Sequence, residues 1–227
     1  MTSEEALARL DEFQKPTKDA TLGVRKDAVW LHIPLTVDPA SDGRWVLDIN
    51  HPDLNRIDVL LLQNGKVLQR SVLGTEVPRA QRPLPGRTPA QAFQLEAGQN
   101  YEFLLRVQTR GAMILPITFN TPTGILGRTV NEQMLQGVLT GLALCLIFYS
   151  MGQWYSLREP LFIQYALLTS GSLLYSLHFF GVGQQYLWGH SPWLTSHAVG
   201  LASLMAITGS FLFMSQALEG HYPQSRF

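Results

Sequence analysis

The carboxyl-terminal part of this 227-residue chain has almost no charged side chains. Of its 17 basic and 17 acidic residues, 30 lie in residues 1–132 and only 4 lie in residues 133–227. A soluble domain of 95 residues cannot cover its surface with four charges and stay dispersed. The second half therefore requires an apolar medium. The zero net charge, with both signs interspersed, gives no reason to expect nucleic acid as a partner.

Cysteine is also scarce. Cys145 is the only one in the chain, so no disulfide can form within it and cysteine usage indicates no compartment.

The first residues, MTSEEALARLDEF, lack the apolar core of a secretory signal peptide. They predict instead a short amphipathic helix with Ala6, Leu7, Leu10 and Phe13 on one side.

Motifs with catalytic spacing are missing too. The sequence contains no GxSxG, P-loop, HExxH or CxxC pattern. We therefore expect neither an enzyme nor a bound cofactor or metal. His178 and His197 fall in apolar stretches where they could in principle ligate haem or a metal, but no carboxylate or thiol joins them in a zinc-type set. Interfacial hydrogen bonding is the simpler role.

Three apolar stretches have the length of membrane spans, at about 133–155, 161–182 and 194–218. A bilayer core of about 30 Å needs roughly 20 apolar helical residues. No Asp, Glu, Lys or Arg occurs from residue 160 to residue 218, as expected if each charge at the bilayer centre costs about 2.5–3.5 kcal/mol. The pattern predicts three transmembrane helices, because helices without a polar face are hard to bury in a soluble protein.

The few charges near these stretches predict an orientation. Arg158 lies in the turn between the first two spans and Arg226 follows the third, whereas the 181–193 loop has no Lys or Arg. Positively charged loops favour the cytoplasm, so the first half of the chain is expected outside it. Arg128 lies on the expected outer side, so the excess of basic residues on the cytoplasmic side is small.

Residues 29–120 show the period-two alternation of half-buried strands, within a β domain predicted over residues 21–122. VWLHIPLTV, WVLDI and YEFLLRVQT each place their apolar residues on one side, and Asn64-Gly65 predicts a hairpin turn. About seven short strands, with turn signals at intervals of roughly 8–15 residues, predict an all-β sandwich or jelly roll. The expected organisation is a helical or flexible segment 1–20, this β domain, and a membrane region 123–227.

The order of these motifs resembles the bacterial seven-transmembrane receptors with diverse intracellular signalling modules (7TMR-DISM). The segments that carry the resemblance are VWLHIPL, WVLDINHPDLNRIDVLLLQNGK, FQLEAGQNYEFLLRVQTRGAMILPITFNTP and VNEQMLQGVLTGLALCLIFYSMGQWYSLREPLFIQYALL. It covers nearly the whole chain from about Leu22, as an extracellular sensor domain of type 2 followed by the first part of the seven-helix region.

The resemblance implies a periplasmic jelly-roll sensor similar to carbohydrate-binding modules. Its helices would lie in the bacterial inner membrane and couple to a cytoplasmic diguanylate cyclase, histidine kinase or phosphatase. Because the sequence shows no leader, only three of the seven helices and no output module, we expect a truncated receptor.

Four residues of the β domain are candidates for ligand binding. Trp30 and His32 point away from the apolar side of their strand, Arg106 lies on the polar side of its strand, and Asp48 opposes the apolar residues of WVLDI. If these strands share one sheet, the four side chains line a face suited to a sugar. An ordinary solvated face with cross-strand pairs is the alternative.

A second candidate group lies in the proline-rich stretch PRAQRPLPGRTPAQ, which predicts a surface loop. Arg79 and Arg82, with Arg87, could hold an anionic ligand by bidentate contacts. A solvated loop without a ligand is the alternative.

The sequence thus predicts a membrane-anchored sensor whose partners are the lipid bilayer, a small-molecule or glycan ligand, and a second copy in a homodimer. Ligand binding would shift the junction Thr121–Asn131 ahead of the first span. An interaction or dimerisation module without a small ligand is the main alternative. A membrane-bound enzyme with an accessory β domain is a third, disfavoured by the missing catalytic spacing.

Overall fold

The computed structural model describes residues 2–15, 21–84, 86–189 and 191–219, which fall into two units, Met1–Leu126 and Gly127–Phe227. The described residues of the first unit form a short helix and nine strands, and those of the second are helical. In chain order the elements are α1 Ser3–Leu7, β1 Thr21–Val24, β2 Val29–Thr36, β3 Arg44–Ile49, β4 Arg56–Gln63, β5 Lys66–Leu73, β6 Ala90–Gln94, β7 Asn100–Gln108, β8 Ala112–Ile114, β9 Ile117–Asn120, α2 Pro122–Leu157, α3 Pro160–Phe179, α4 Val182–Tyr186 and α5 Pro192–Glu219. Short 3₁₀ turns lie at Leu10–Glu12 and Arg79–Gln81.

The strands form three antiparallel sheets: β2-β7-β4-β5, β6-β3-β9, and the pair β1-β8. The four-stranded and three-stranded sheets share one apolar core. At its centre the ring of Phe103 in β7 lies 5.1 Å from that of Phe93 in β6 and 5.0 Å from that of Phe119 in β9. The predicted β-sheet region followed by helices is confirmed.

Period-two alternation identified the inner faces correctly. The side chains predicted to share an apolar side in VWLHIPLTV, WVLDI and YEFLLRVQT all contribute to or pack against the core: Val29, Leu31, Ile33, Leu35, Val37, Trp45, Leu47, Ile49, Tyr101, Phe103, Leu105 and Val107. The hairpin prediction is also confirmed, since Asn64 and Gly65 have φ of 51° and 73°, as a type I′ turn requires. The apolar stretch ILPITFN divides between β8 and β9 at Pro116, which has no N–H for a ladder.

Helix α2 begins at Pro122, earlier than the predicted start near residue 133. Thr121 caps it, because its Oγ1 accepts a hydrogen bond from the Gly124 N–H at 3.2 Å, and proline suits the first helical position. One turn later Arg128 donates from Nε to Glu132 Oε1 at 3.0 Å. The junction predicted between strand and span is therefore helical.

Two helices, Pro122–Leu157 and Trp193–Leu218, are long and apolar enough to cross a membrane, among the residues that the structure describes. The predicted second span corresponds to α3, which ends at Phe179 before Gly181 takes φ 73°. Gln164 and the small polar residues 169–172 lower the hydropathy of α3, so α3 is not among the helices that meet the criterion of length and apolarity.

The burial pattern of α2 is the reverse of that of a soluble helix. Its two buried residues are Gln136 and Ser150, at 7% and 2% exposure. Its large apolar side chains are exposed, among them Leu135, Val138, Leu139, Leu142, Leu146, Phe148 and Met151. Polar groups inside and apolar groups outside are expected where lipid replaces water.

Helices α3 and α5 approach closely through glycine. A Cβ on Gly171 would overlap the backbone of Ala206, and a Cβ on Gly209 would overlap the backbone of Leu168. Small residues allow such close contact in membrane helices. Gly137 and Gly141, which form a GxxxG pair in α2, differ: apart from the backbone of α2 itself, no described atom lies within 4 Å of a Cβ built on either.

We predict opposite effects of two Gly→Ala substitutions. Gly137→Ala should be neutral or stabilising by about 0.5–1 kcal/mol, because alanine favours helix over glycine. Gly171→Ala should instead destabilise the folded chain by about 1–3 kcal/mol, because the added methyl group pushes α3 away from α5. The thermal unfolding midpoints of the purified chain in detergent measure both effects. Equal midpoints for the two variants would contradict the α3–α5 contact.

Candidate ligand-binding site

The candidate site lies on the outer face, the side of the four-stranded sheet that points away from the core. Trp30 of β2 pairs with Arg106 of β7, and Arg106 pairs with Asp58 of β4, so the three form one row across the sheet. His32 belongs to the next row, opposite Leu104. The strands of Trp30, His32 and Arg106 therefore belong to one sheet, as the prediction required.

Asp58 is the electrostatic centre of this row. Its Oδ2 accepts from Arg106 Nη1 at 3.1 Å, and its Oδ1 accepts from Arg56 Nη2 at 2.8 Å. Arg106 Nη2 also donates to Gln108 Oε1 at 3.0 Å. The hydrogen bonds to Asp58 raise the pKa of Arg56 above its ordinary value. Only 22% of the Asp58 side chain and 28% of the Arg106 side chain are exposed, so solvent screens this ion pair less than a fully exposed one.

The middle of the outer face is apolar and covered by the amino-terminal segment, defined as residues 2–13. Ala6 is fully buried against Leu60, Leu62 and Leu104 of the sheet. Trp30, Leu7, Leu10, Phe13 and Val67 are partly buried around them. The four apolar residues predicted to share one side do contact this surface, although α1 itself ends at Leu7 and a 3₁₀ turn follows at Leu10–Glu12.

Thr2 and Glu5 stabilise the start of this segment. Thr2 Oγ1 accepts from the Glu5 N–H at 3.3 Å, and Glu5 Oε2 accepts from the Thr2 N–H at 2.9 Å, which together form a capping box. Farther along, the ring of Phe13 lies 6.0 Å from that of His32. His32 Nε2 lies 2.7 Å from Glu102 Oε2. His32 therefore supports the contact with the segment and is less accessible than a residue of an open polar face.

A hollow of about 490 Å³ remains open between the start of this segment and the sheet. Trp30, Asp58, Arg70 and Arg106 are among its lining residues, together with Thr2. Its volume lies within the range of about 300–1,000 Å³ that small-molecule sites occupy. An aromatic ring thus lies beside a carboxylate and two guanidinium groups.

Asp48 does not share this face. It lies in β3 of the three-stranded sheet, is 4% exposed, and accepts a hydrogen bond from Thr88 Oγ1 at 2.8 Å. The alternation of WVLDI placed Asp48 opposite the core correctly, but the pattern within one strand cannot show which sheet the strand joins.

The arginines of the proline-rich loop lie in a different part of the unit. Arg82 Nε donates to the Val77 carbonyl at 3.1 Å, and Arg87 Nη2 donates to Asn50 Oδ1 at 3.1 Å, so both bind neighbouring loop segments. Arg79 begins a 3₁₀ turn, and its side chain lies outside the described part of the chain.

Sequence reasoning missed Asp58 and Arg70. Asp58 could have been found, because in RIDVLLLQ it alternates with Ile57 and Val59, both buried. Arg70 enters the site only through the pairing of Leu60 with Arg70 between β4 and β5, which the hairpin register sets. A prediction of that register would have brought both residues to the face of Trp30.

The two histidines predicted to lie in the apolar stretches, His178 and His197, make local contacts. His178 stacks on Trp188 with ring centroids 6.3 Å apart, and His197 Nδ1 lies 2.8 Å from the Trp193 carbonyl oxygen. Within the described ranges, no group of three or more His, Cys, Asp or Glu residues is placed to hold a metal ion.

The described chain is thus a β-sheet unit followed by helices, two of which are long and apolar enough to cross a membrane. Two family models match the chain: 7TMR-DISM extracellular 2 over residues 1–121, and 7TM diverse intracellular signalling over residues 132–227. The chain therefore belongs to the 7TMR-DISM family, and the predicted resemblance is confirmed. A comparison with curated proteins found no match.

We predict that Ala6→Glu detaches the amino-terminal segment from the outer face, because a carboxylate cannot be buried unpaired against three leucines. Trypsin should then cleave after Arg9 at least about tenfold faster. Ala8→Glu is the matched control, since Ala8 is exposed and the change adds the same charge. Equal cleavage rates in the two variants would show that the segment is not held by this contact.

Proposed function

We propose that the chain is the sensory portion of a bacterial inner-membrane receptor whose jelly-roll β unit binds a small carbohydrate in the periplasm. The observation that carries this proposal is the hollow on the outer face, where Trp30 lies beside Asp58, Arg70 and Arg106. Membership of a sensory receptor family supports it. The chain acts by binding and relaying, without a catalytic step of its own.

Sugar recognition would divide between the aromatic and the charged side chains. A flat indole ring stacks on the C–H face of a pyranose and removes it from water. The carboxylate of Asp58 accepts hydrogen bonds from sugar hydroxyls, and the guanidinium of Arg70 donates to ring and hydroxyl oxygens. The hydrogen bonds that Asp58 accepts from Arg56 and Arg106 hold its carboxylate in place before a ligand arrives.

We further propose that α3 is a third span and that the turn around Arg158 lies in the cytoplasm. Arg158 takes φ 57°, donates its N–H to the Trp154 carbonyl at 2.8 Å, and places its guanidinium 5.2 Å from the centre of the Tyr155 ring. A tight basic turn flanked by aromatic residues is typical of the cytoplasmic membrane interface. The β unit would then be periplasmic, and the helices would relay its state to a cytoplasmic signalling module.

The path for such a relay is short. Strand β9 ends at Asn120 and α2 begins at Pro122, so a single residue separates the three-stranded sheet from a candidate span. A ligand that binds one geometry of this junction better than another would shift the population of helix arrangements.

We predict that a glycan from a panel of monosaccharides and oligosaccharides binds the full chain in nanodiscs, as measured by titration calorimetry. Arg70→Gln should weaken this binding about tenfold, which corresponds to 1.4 kcal/mol, because it removes a charge-assisted donor from the hollow. Trp30→Phe should retain most of the affinity because it keeps an aromatic face.

Lys66→Gln is the control for this experiment, because Lys66 is exposed on the same strand as Arg70 but does not line the hollow. An absence of binding across the panel removes the carbohydrate proposal. An equal loss in Arg70→Gln and Lys66→Gln would place any binding elsewhere.

A second candidate function is protein interaction, favoured by the way the outer face already holds an amphipathic helix. Ala6 and its neighbours show that the surface at Leu60, Leu62 and Leu104 accepts the apolar side of a helix. A partner protein, or the same segment from a second copy in a homodimer, would fit there by the same contacts. A stable dimer of the solubilised chain that Ala6→Glu dissociates, with no glycan bound, would favour this function over the first.

A further inference from the structure

A second, strongly basic cleft lies at one end of the four-stranded sheet. Arg56, the first residue of β4, pairs there with Gln108, the last residue of β7. The antiparallel pair β1-β8, with Val24 opposite Ala112, brings the residues after Val24 beside the turn that joins β7 to β8. The resulting cleft has a volume of about 660 Å³, within the range of small-molecule sites.

Asn55 fixes the backbone beneath this cleft. Its Oδ1 accepts from the Arg110 N–H at 2.8 Å and from Thr109 Oγ1 at 3.2 Å, and its Nδ2 donates to Thr75 Oγ1 at 3.3 Å. One side chain thus joins the segment before β4 to the β7–β8 turn and to the segment after β5. The cleft is therefore ordered by a polar side chain that is itself partly buried.

The charges of the cleft are unbalanced. Its lining includes five cationic side chains and one carboxylate, that of Glu76. The cations are Arg25, Lys26, Arg56, Arg106 and Arg110. Two further carboxylates reach them from outside the lining: Asp27 binds Arg25 at 3.1 Å, and Asp58 is shared by Arg56 and Arg106. Positive charge remains in excess after these pairs are counted.

Lys26 and Arg110 carry the positive charge of the cleft that is available to a ligand. Both are exposed, and neither forms a salt bridge with any residue in the described part of the chain. Arg56 and Arg106, by contrast, are held in place by Asp58. A cleft with fixed and free cations concentrates positive potential, and guanidinium groups match the geometry of carboxylate and phosphate oxygens.

We propose that this cleft binds a soluble organic anion through a carboxylate or phosphate group. Lys26 and Arg110 would contact the anion directly, while Arg56 and Arg106 would provide fixed donors at the end of the sheet. The site is distinct from the hollow at Trp30, although Arg106 borders both. An anion bound here would bring β1, β4 and the β7–β8 turn together.

The test uses the full chain in nanodiscs of phosphatidylcholine, whose headgroups have no net charge. Inorganic phosphate and citrate are titrated by calorimetry at constant ionic strength, set with sodium chloride, because salt screens exposed charges. We expect saturable binding of at least one anion. Lys26→Gln combined with Arg110→Gln should weaken it at least about tenfold, since both charges lie in the cleft.

Lys66→Gln combined with Arg44→Gln is the matched control, which removes the same charge from exposed positions outside the cleft. It should leave the affinity unchanged within about twofold. An absence of binding by both anions, or an equal loss in the two double variants, overturns the proposal. Glycan affinity that depends on Arg70 persists in either case, so failure of this site is separable from failure of the sugar site.

Discussion

Water must be excluded from the helical unit for the chain to be stable. Helix α2 exposes leucine, phenylalanine and methionine along its length, while its buried residues are Gln136 and Ser150. In water such a surface would drive aggregation, whereas in lipid the exposed apolar side chains cost nothing and the two buried polar side chains are kept out of the hydrocarbon. The contact of α5 with α3 at Gly171 and Gly209 brings two backbones close together, a kind of packing that does not depend on the hydrophobic effect.

The β unit is organised by a different principle, the alternation of inner and outer faces. One side of each central strand forms the core, and the other side of the four-stranded sheet divides into three regions. Leucines in the middle bind the amino-terminal segment, the row of Trp30, Arg106 and Asp58 borders the hollow, and a basic cleft lies at the sheet end. A single carboxylate, Asp58, binds both Arg106, which borders the two open sites, and Arg56 of the cleft.

Much of this fold could be predicted from local pattern, because strand alternation, the Asn64-Gly65 turn and the apolar spans depend on residues close in sequence. The sites depended on pairing between distant segments, which local pattern does not show. Asp48 and Arg106 have the same outward parity, yet their strands lie in different sheets. Arg25 and Arg110 share a cleft because β1 pairs with β8, across almost the whole β unit. The start of α2 was missed because capping by Thr121 extends the helix beyond its apolar stretch.

Labelling of Cys145 in intact membranes tests most directly whether the helical unit lies in lipid. Cys145 is the only cysteine, lies within α2 and is exposed in the structure, so protein packing does not shield it. A membrane-impermeant maleimide should leave it unmodified in spheroplasts and modify it after denaturation in detergent. With the proposed periplasmic orientation of the β unit, Lys66→Cys in a Cys145→Ser background should be modified in spheroplasts. Rapid modification of Cys145 in intact membranes, or protection of the cysteine at position 66, would contradict this account.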